Sequence, residues 1–236
     1  MKNQGKVIWV AVCLLVLICG FAPATGIYDH FDDGVLDSDW DVSFYNSTGW
    51  TYSEAGSLIT VTGITIDDPG YDLNSRIYLS QNFNATGDFQ AEFSFSWASG
   101  NTDTAIEAMR LELYSGGDAV VRAGYYDPWL YHRGSKFGLI GSTIYHSGEN
   151  SLAWSGSAVV EIKRISGMVT ILWDDNVLLS GMNSDAIDQL KMDFATNKAS
   201  GATFDSLSID YVSAIPEPAS MTILALGMLI LKKKRQ

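Results

Sequence analysis

The chain has two cysteines in 236 residues, and both, Cys13 and Cys19, fall in an N-terminal apolar stretch. Nothing between Thr25 and Ala214 can form a disulfide, so stability there must come from a packed core or bound ions. Three histidines and no clustered cysteine exclude a Cys/His zinc centre. No Gly-x-Ser-x-Gly elbow and no phosphate-binding loop occurs, which removes two common catalytic classes. Basic residues are scarce as well, with 15 Lys and Arg against 27 Asp and Glu. Lys2, Lys6 and Lys232 to Arg235 lie at the two ends, so the central segment is more acidic than the whole chain's −12. A nucleic-acid partner is therefore excluded as an expectation; divalent cations and neutral or cationic polymers suit the charge better.

No apolar run reaches the roughly 20 residues that usually cross a bilayer. The two that exist are short and terminal. Lys2 and Lys6 precede Val7 to Cys19, and Ala22-Pro23-Ala24 offers small residues for signal peptidase. This is the order of a secretory signal, with cleavage expected after Ala24. At the other end, Ala219 to Leu231 carries no charge and is followed by Lys232 to Arg235. Pro216 and Pro218 forbid regular helix at the junction and predict an extended, accessible backbone before the apolar run. The expected organisation is a signal peptide over 1–24, one domain over 25–214 and a C-terminal segment over 215–236.

Pro216-Glu217-Pro218, the apolar stretch and the basic finish, in that order, resemble the PEP-CTERM sorting signal of exported bacterial proteins. The resemblance covers only this tail. It implies processing by an exosortase-type membrane peptidase, transient membrane anchoring by a short C-terminal helix, and delivery to the cell surface or an exopolysaccharide matrix.

The central segment alternates with period two between Gly, Asn and Asp punctuation, which predicts strands. In "DFQAEFSFSW", Phe89, Ala91, Phe93, Phe95 and Trp97 share a face. "AIEAMRLELY" alternates too, with Ile106 and Ala108 placed inward and then, after a phase shift near Met109, Leu111 and Leu113. "SAVVEIKRI" and "MVTILWD" flank a Ser166-Gly167 turn, and Asp174-Asp175-Asn176 turns the chain again. Trp40, Trp97 and Trp173 are expected in the core, and a short helix is possible over 184–189. About a dozen strands with short turns predict an all-β antiparallel sandwich or jelly roll.

"YDHFDDGVLDSDW", the hairpin "VVEIKRISGMVTILWDDNVL" and the closing "ATFDSLSIDYVSA" together resemble the concanavalin A-like lectin/glucanase jelly rolls. That resemblance spans most of the central segment and implies a last strand returning beside the first. It also implies a site for carbohydrate and, often, one structural calcium. Asp32 and Asp33, with Asp205, are the oxygen ligands expected for it. The laminarinase-type members carry Glu-x-Asp-x-Glu on one strand, and this chain lacks it. Asp103, Glu107 and Glu112 have other spacing and read as strand-surface acids. Arg110 with Glu112, and "VRAGYY" with Arg122 and Tyr125, resemble two strands of lyases on this fold that act around a uronate. The Gln-x-His strand of those lyases is missing, and His132 and His146 are expected in loops.

"GYYDPWLYHRGS" gathers Tyr125, Tyr126, Trp129, Tyr131, His132 and Arg133. Aromatic faces stack on sugar rings while the polar tips reach hydroxyls, so these six are the candidate carbohydrate-binding residues. Core packing of Tyr125 and Trp129 is the competing expectation. The sequence thus predicts an exported, non-catalytic protein that binds extracellular polysaccharide. The alternatives are a glycanase or lyase on the same fold and a matrix protein without a specific ligand.

Overall fold

The computed structural model describes residues 26–45, 51–55, 58–62, 75–98, 107–127, 134–148, 151–153, 155–196 and 206–216. The expected signal peptide and everything after Pro216 lie outside the described residues. Among the described residues there are fifteen strands and no helix. They form two antiparallel sheets with their apolar faces turned toward one another.

The first sheet has eight strands. Its path runs β13 (Asn176–Met182), β12 (Met168–Trp173), β11 (Ser155–Ile165), β6 (Phe89–Ala98), β15 (Ser206–Pro216), β4 (Ile59–Thr62), β3 (Thr51–Glu54). β1 (Ile27–Asp29) also pairs with β15, Ile27 opposite Ala214. The last strand therefore returns beside the first, as expected. The second sheet has seven strands: β10 (Thr143–His146), β9 (Ser135–Ile140), β8 (Asp118–Asp127), β7 (Glu107–Ser115), β14 (Ile187–Thr196), β5 (Ser75–Ala85), β2 (Asp41–Tyr45).

The period-two pattern decides which side chains enter the core, because alternate residues of a strand point to opposite faces. Phe89, Ala91, Phe93, Phe95 and Trp97 are all buried along β6. Phe93 stacks on Phe95 with centroids 4.8 Å apart, and Trp173 meets Phe95 edge-on at 5.3 Å. Such pairs add about 0.5–1.5 kcal/mol each beyond their area burial. Trp40 and Trp97 are buried as well. Both expected turns form: Ser166 and Gly167 have φ of 51° and 79°, and Asp174 and Asp175 have φ of 47° and 63°. Two successive positive-φ residues match the right-handed twist of the flanking strands.

Three expectations change. No helix occupies 184–189, because Ile187 opens β14 and pairs with Ala85. β7 keeps one phase throughout: Met109, Leu111 and Leu113 join the core cluster, while Ala108, Arg110 and Glu112 face the other way. Pro216 does not begin an accessible junction. It is the buried last residue of β15, opposite Phe89, a strand-end position where its missing N–H costs little.

Candidate functional site

The outer face of the seven-stranded sheet carries charge where the inner face is apolar, with Ile77, Leu79, Leu111 and Met192 in the core. Strand register aligns Tyr78, Asp193, Arg110, Gly124, Phe137 and His146 in one row across it. The next row contains Ser80, Lys191, Glu112, Arg122 and Leu139. On the other side of the first row, Ala195, Ala108, Tyr126 and Ser135 follow. Antiparallel pairing fixes these neighbours, because a slip of one residue would send every one of them into the core.

Arg110, Glu112 and Asp193 form the centre. Arg110 is 5% exposed, and Glu112 and Asp193 are wholly buried. Arg110 Nε donates to Asp193 Oδ2 at 3.1 Å, and its Nη2 makes a second, short contact with the same oxygen. Arg76 Nη1 donates to that oxygen from the other side at 3.3 Å and also reaches the Tyr78 hydroxyl. Glu112 Oε2 accepts from the Tyr114 hydroxyl at 2.7 Å. Glu112 Oε1 lies 3.1 Å from Arg122 Nε and 3.4 Å from Arg110 Nη2. Lys191 places its ammonium 4.1 Å from the Tyr114 ring centroid and 5.3 Å from that of Tyr78.

The electrostatics follow from burial. Burial pushes the Glu112 carboxyl above its ordinary range, with Asp193 adding to the push and Arg110, Arg122 and Tyr114 opposing it. Burial works against the Arg110 charge, but Asp193 and then Glu112 outweigh it and hold the guanidinium protonated. Burial, followed by Glu112, raises the Tyr114 phenol. Glu112 Oε1 and Asp193 Oδ1 have no hydrogen-bond partner among the described residues. Burying an ion cluster costs several kcal/mol per ion before pairing offsets it. A stability device would be built more cheaply from apolar side chains, as on the other face of the same strands.

Gly124 makes the packing possible. Its φ is 152°, and a Cβ there would collide with the Met109 carbonyl and the Arg110 backbone. With no side chain at Gly124, the Arg110 guanidinium lies 5.9 Å from the Phe137 ring. Phe137 in turn meets His146 at 5.1 Å and Tyr126 at 5.8 Å, and Tyr126 and His146 are 5.6 Å apart. Burial lowers the His146 imidazole below its ordinary value. An Arg, a Tyr and a His thus share one sheet face.

The sequence candidates divide. Tyr125 points into the core, fully buried and stacked at 5.8 Å on Trp97, so its ring cannot present a face to a sugar. Tyr126, one residue on, lies half-buried on the outer face. Trp129, Tyr131, His132 and Arg133 lie outside the described residues, as do His132's neighbours over 128–133. His146 belongs to strand β10 rather than a loop. Glu112, expected as a strand-surface acid, is buried beneath Arg122 and Tyr114; Asp103 and the Glu107 side chain lie outside the described residues.

Of the calcium set, Asp32 and Asp33 are exposed, and Asp205 lies outside the described residues. Asp33 Oδ1 accepts from the Val35 N–H at 3.0 Å. That hydrogen bond, then contact with the Glu54 carboxyl, lowers Asp33, whereas burial raises Glu54. No group of three or more His, Cys, Asp or Glu is placed to hold a metal among the described residues. Asp32 and Asp33 do not by themselves fit a calcium centre, and no role is derived for the ion.

Arg110, Glu112 and Arg122 were visible in the sequence as strand residues. Asp193, Arg76 and Lys191 were not singled out. "LKMDFAT" shows the alternation that places Lys191 and Asp193 on one face, but only the register of β14 with β7 and β5 reveals what they meet.

No family model matches the chain, and no curated protein matches it in sequence. Solved structures do match in fold. A carbohydrate-binding CBM2 module of the evolved Dit of Lactobacillus casei BL23 phage J-1 is 11% identical, with TM-score 0.59 over 82% of this chain and 96% of its own. The catalytic domain of an endo-1,3-β-glucanase (laminarinase) from Thermotoga petrophila is 13% identical, with TM-score 0.55 over 80% and 95%. The Bacillus licheniformis β-glucanase is 9% identical, with TM-score 0.56 over 84% and 100%. At these identities the likeness establishes a shared fold, a sandwich of two antiparallel sheets, and leaves function to the residues.

Proposed function

We propose that this chain is an exported bacterial surface or matrix protein whose sandwich binds extracellular polysaccharide without cleaving it. The observation that carries the reading is the outer face of the seven-stranded sheet. There Arg76, Arg122, Lys191 and Tyr126 surround a buried ion cluster on rigid strands, a costly arrangement that suits ligand positioning better than stability. A glycosidase needs one carboxylic acid and one carboxylate aimed at a bond between them. Asp193 is instead clamped by Arg76 and Arg110, and Glu112 by Tyr114 and two arginines. The carbohydrate-binding and glucanase structures that share the fold are consistent with a role toward saccharides.

A second reading, a polysaccharide-active enzyme, is favoured by one observation: Arg110, Tyr126 and His146 share a face. Incubating the protein with a polysaccharide panel separates the two. Retention of the protein on immobilised polysaccharide without shortening of the polymer supports binding alone, and depolymerisation lost in His146→Ala supports the enzyme. The Trp129→Ala and Tyr126→Ala variants test whether the 125–133 segment contributes; unchanged binding in both removes it from the site.

Export and sorting belong to the same proposal. Signal peptidase removes residues 1–24, the C-terminal segment holds the chain in the membrane during transit, and an exosortase-type peptidase acts at Pro216-Glu217-Pro218. Mass spectrometry of the mature protein tests this. A C-terminus near Pro216 to Pro218 supports it, and a retained Lys232 to Arg235 overturns it.

A further inference from the structure

The eight-stranded sheet has one end where apolar side chains face water. Ile165 pairs with Met168 and Met168 with Met182, so the three form a row across β11, β12 and β13. They are 63%, 43% and 69% exposed, on the face turned away from the core. Two residues further along the strands, on the same face, the next row runs Ile215, Gln90, Lys163 and Thr170, and Ile215 is 55% exposed. β13 is the last strand of the sheet, so no further strand shelters Met182. Single exposed apolar residues are ordinary; a row of them at one end marks a contact surface.

The row lies where the chain leaves the fold. Pro216, the last residue of β15, is opposite Phe89, Phe89 is opposite Arg164, and Ile165 is the next residue along. In the sequence, thirteen uncharged residues begin at Ala219, three beyond Pro216. Three residues reach at most about 10 Å. At about 4.8 Å per strand, Ile165 is about 10 Å from β15 and Met182 about 19 Å.

We propose that this row is a membrane-contact surface: while the apolar C-terminal segment sits in a bilayer, Ile165, Met168 and Met182 rest in the lipid interface. The inference rests on the transit-anchor part of the proposed function and names what the anchored domain touches. A tether of three residues cannot hold this end of the sheet away from the lipid. Isoleucine and methionine carry no polar group that lipid would leave unpaired, and sinking them into the headgroup boundary removes apolar area from water. Asp88 and Asp185 belong to the same end. Asp88 Oδ1 accepts from the Ser166 N–H and Asp185 Oδ2 from the Asn183 amide, each at 2.8 Å. Those carboxylates make a zwitterionic surface a better fit than an anionic one. So small a patch holds to lipid only through the high local concentration that a tether provides. Cleavage at Pro216-Glu217-Pro218 removes the tether, and the row then returns to water with the released domain.

Residues 25–236 contain no cysteine, so one introduced thiol carries one probe. Met168→Cys and Met182→Cys are labelled with a polarity-sensitive fluorophore. Val35→Cys is the control: its side chain is 70% exposed, and it follows β1, which runs from Ile27 opposite Ala214 away from the row. Each protein, with its C-terminal segment present, is reconstituted in phosphatidylcholine vesicles that contain a spin-labelled lipid quencher. Circular dichroism checks the fold, and if one row variant does not fold the other decides. The expected result is that the protein floats with the vesicles and that lipid quenching at 168 and 182 exceeds that at 35 at least threefold. Equal quenching at all three positions overturns the contact and leaves the anchor intact. Row labels shielded from aqueous iodide as well as from the lipid quencher overturn it too, because protein, the chain's own C-terminal segment or a second copy, then covers the row. A protein that does not float overturns the anchor and the contact together.

Discussion

Arg110 on β7 and Asp193 on β14 sit directly opposite one another and share a hydrogen bond of 3.1 Å inside a sheet face from which both are almost wholly excluded from water. Removing one partner leaves the other charged and buried with only a longer contact, Asp193 with Arg76 at 3.3 Å or Arg110 with Glu112 at 3.4 Å. Asp193→Asn is therefore expected to destabilise the domain by about 3–5 kcal/mol, and Arg110→Met by a similar amount. The double variant Arg110→Met/Asp193→Leu is expected to recover most of that loss, because neither charge then remains. Urea unfolding of the three proteins measures it. Additive losses in the double variant would show that the pair is not coupled.

Gly124 is the backbone condition for that cluster. Its φ of 152° and the position of the Met109 carbonyl leave no room for a side chain. Gly124→Ala is expected to cost at least the roughly 1–3 kcal/mol of a strained backbone residue, and more if the Met109–Arg110 segment must shift. Gly116→Ala is the control: its φ is 59°, but nothing lies within 4 Å of the added carbon, so it bears strain without collision. Equal losses at the two sites would assign the whole effect to φ and clear the Met109 contact.

What the sequence revealed and what it hid follow one physical line. Strong alternation exposed β6, the Ser166-Gly167 and Asp174-Asp175 turns and the buried tryptophans, because period and turn chemistry are local properties. Tyr125 and Tyr126 were indistinguishable as neighbours in an aromatic run, and only the phase of β8 sends one into the core and the other outward. The 109 region misled for the same reason: Ala108 is apolar and looks like core, but its face is set by Arg110 and Glu112, whose burial is invisible without partners. Asp193 meets Arg110 across 83 residues of chain, and no local pattern announces such a contact.

The phase of β8 has its own consequence. Tyr125 stacks on Trp97 in the core, where Gly134 approaches its ring so closely that a Cβ there would overlap it. Tyr125→Ala is expected to cost about 3–5 kcal/mol, in the range of buried aromatic truncations, with ligand affinity per folded molecule unchanged. Tyr126→Ala is expected to do the reverse, leaving stability within about 1 kcal/mol while weakening polysaccharide binding. Thermal melts and binding isotherms on both variants check it, and a Tyr126→Ala that unfolds the protein would make that ring structural.

The last expectation concerns pH and Glu112. Burial raises its carboxyl above the ordinary value of 4.5, so the folded state holds the proton more tightly than the unfolded state. Below the unfolded value both states carry the proton, and the stability that Glu112 contributes is fully present. As pH rises, the unfolded chain releases its proton first, and that contribution falls until the folded carboxyl has also ionised. Glu112→Gln keeps an acceptor for the Tyr114 hydroxyl and removes the titration. Relative to the unmodified protein, the variant is expected to gain stability steadily from pH 4 upward through the window above 4.5, then level off. Urea midpoints at half-unit pH steps measure the difference. A constant offset between the two proteins at every pH would mean that Glu112 ionises alike in both states, and that Arg110 and Arg122 compensate its burial in full.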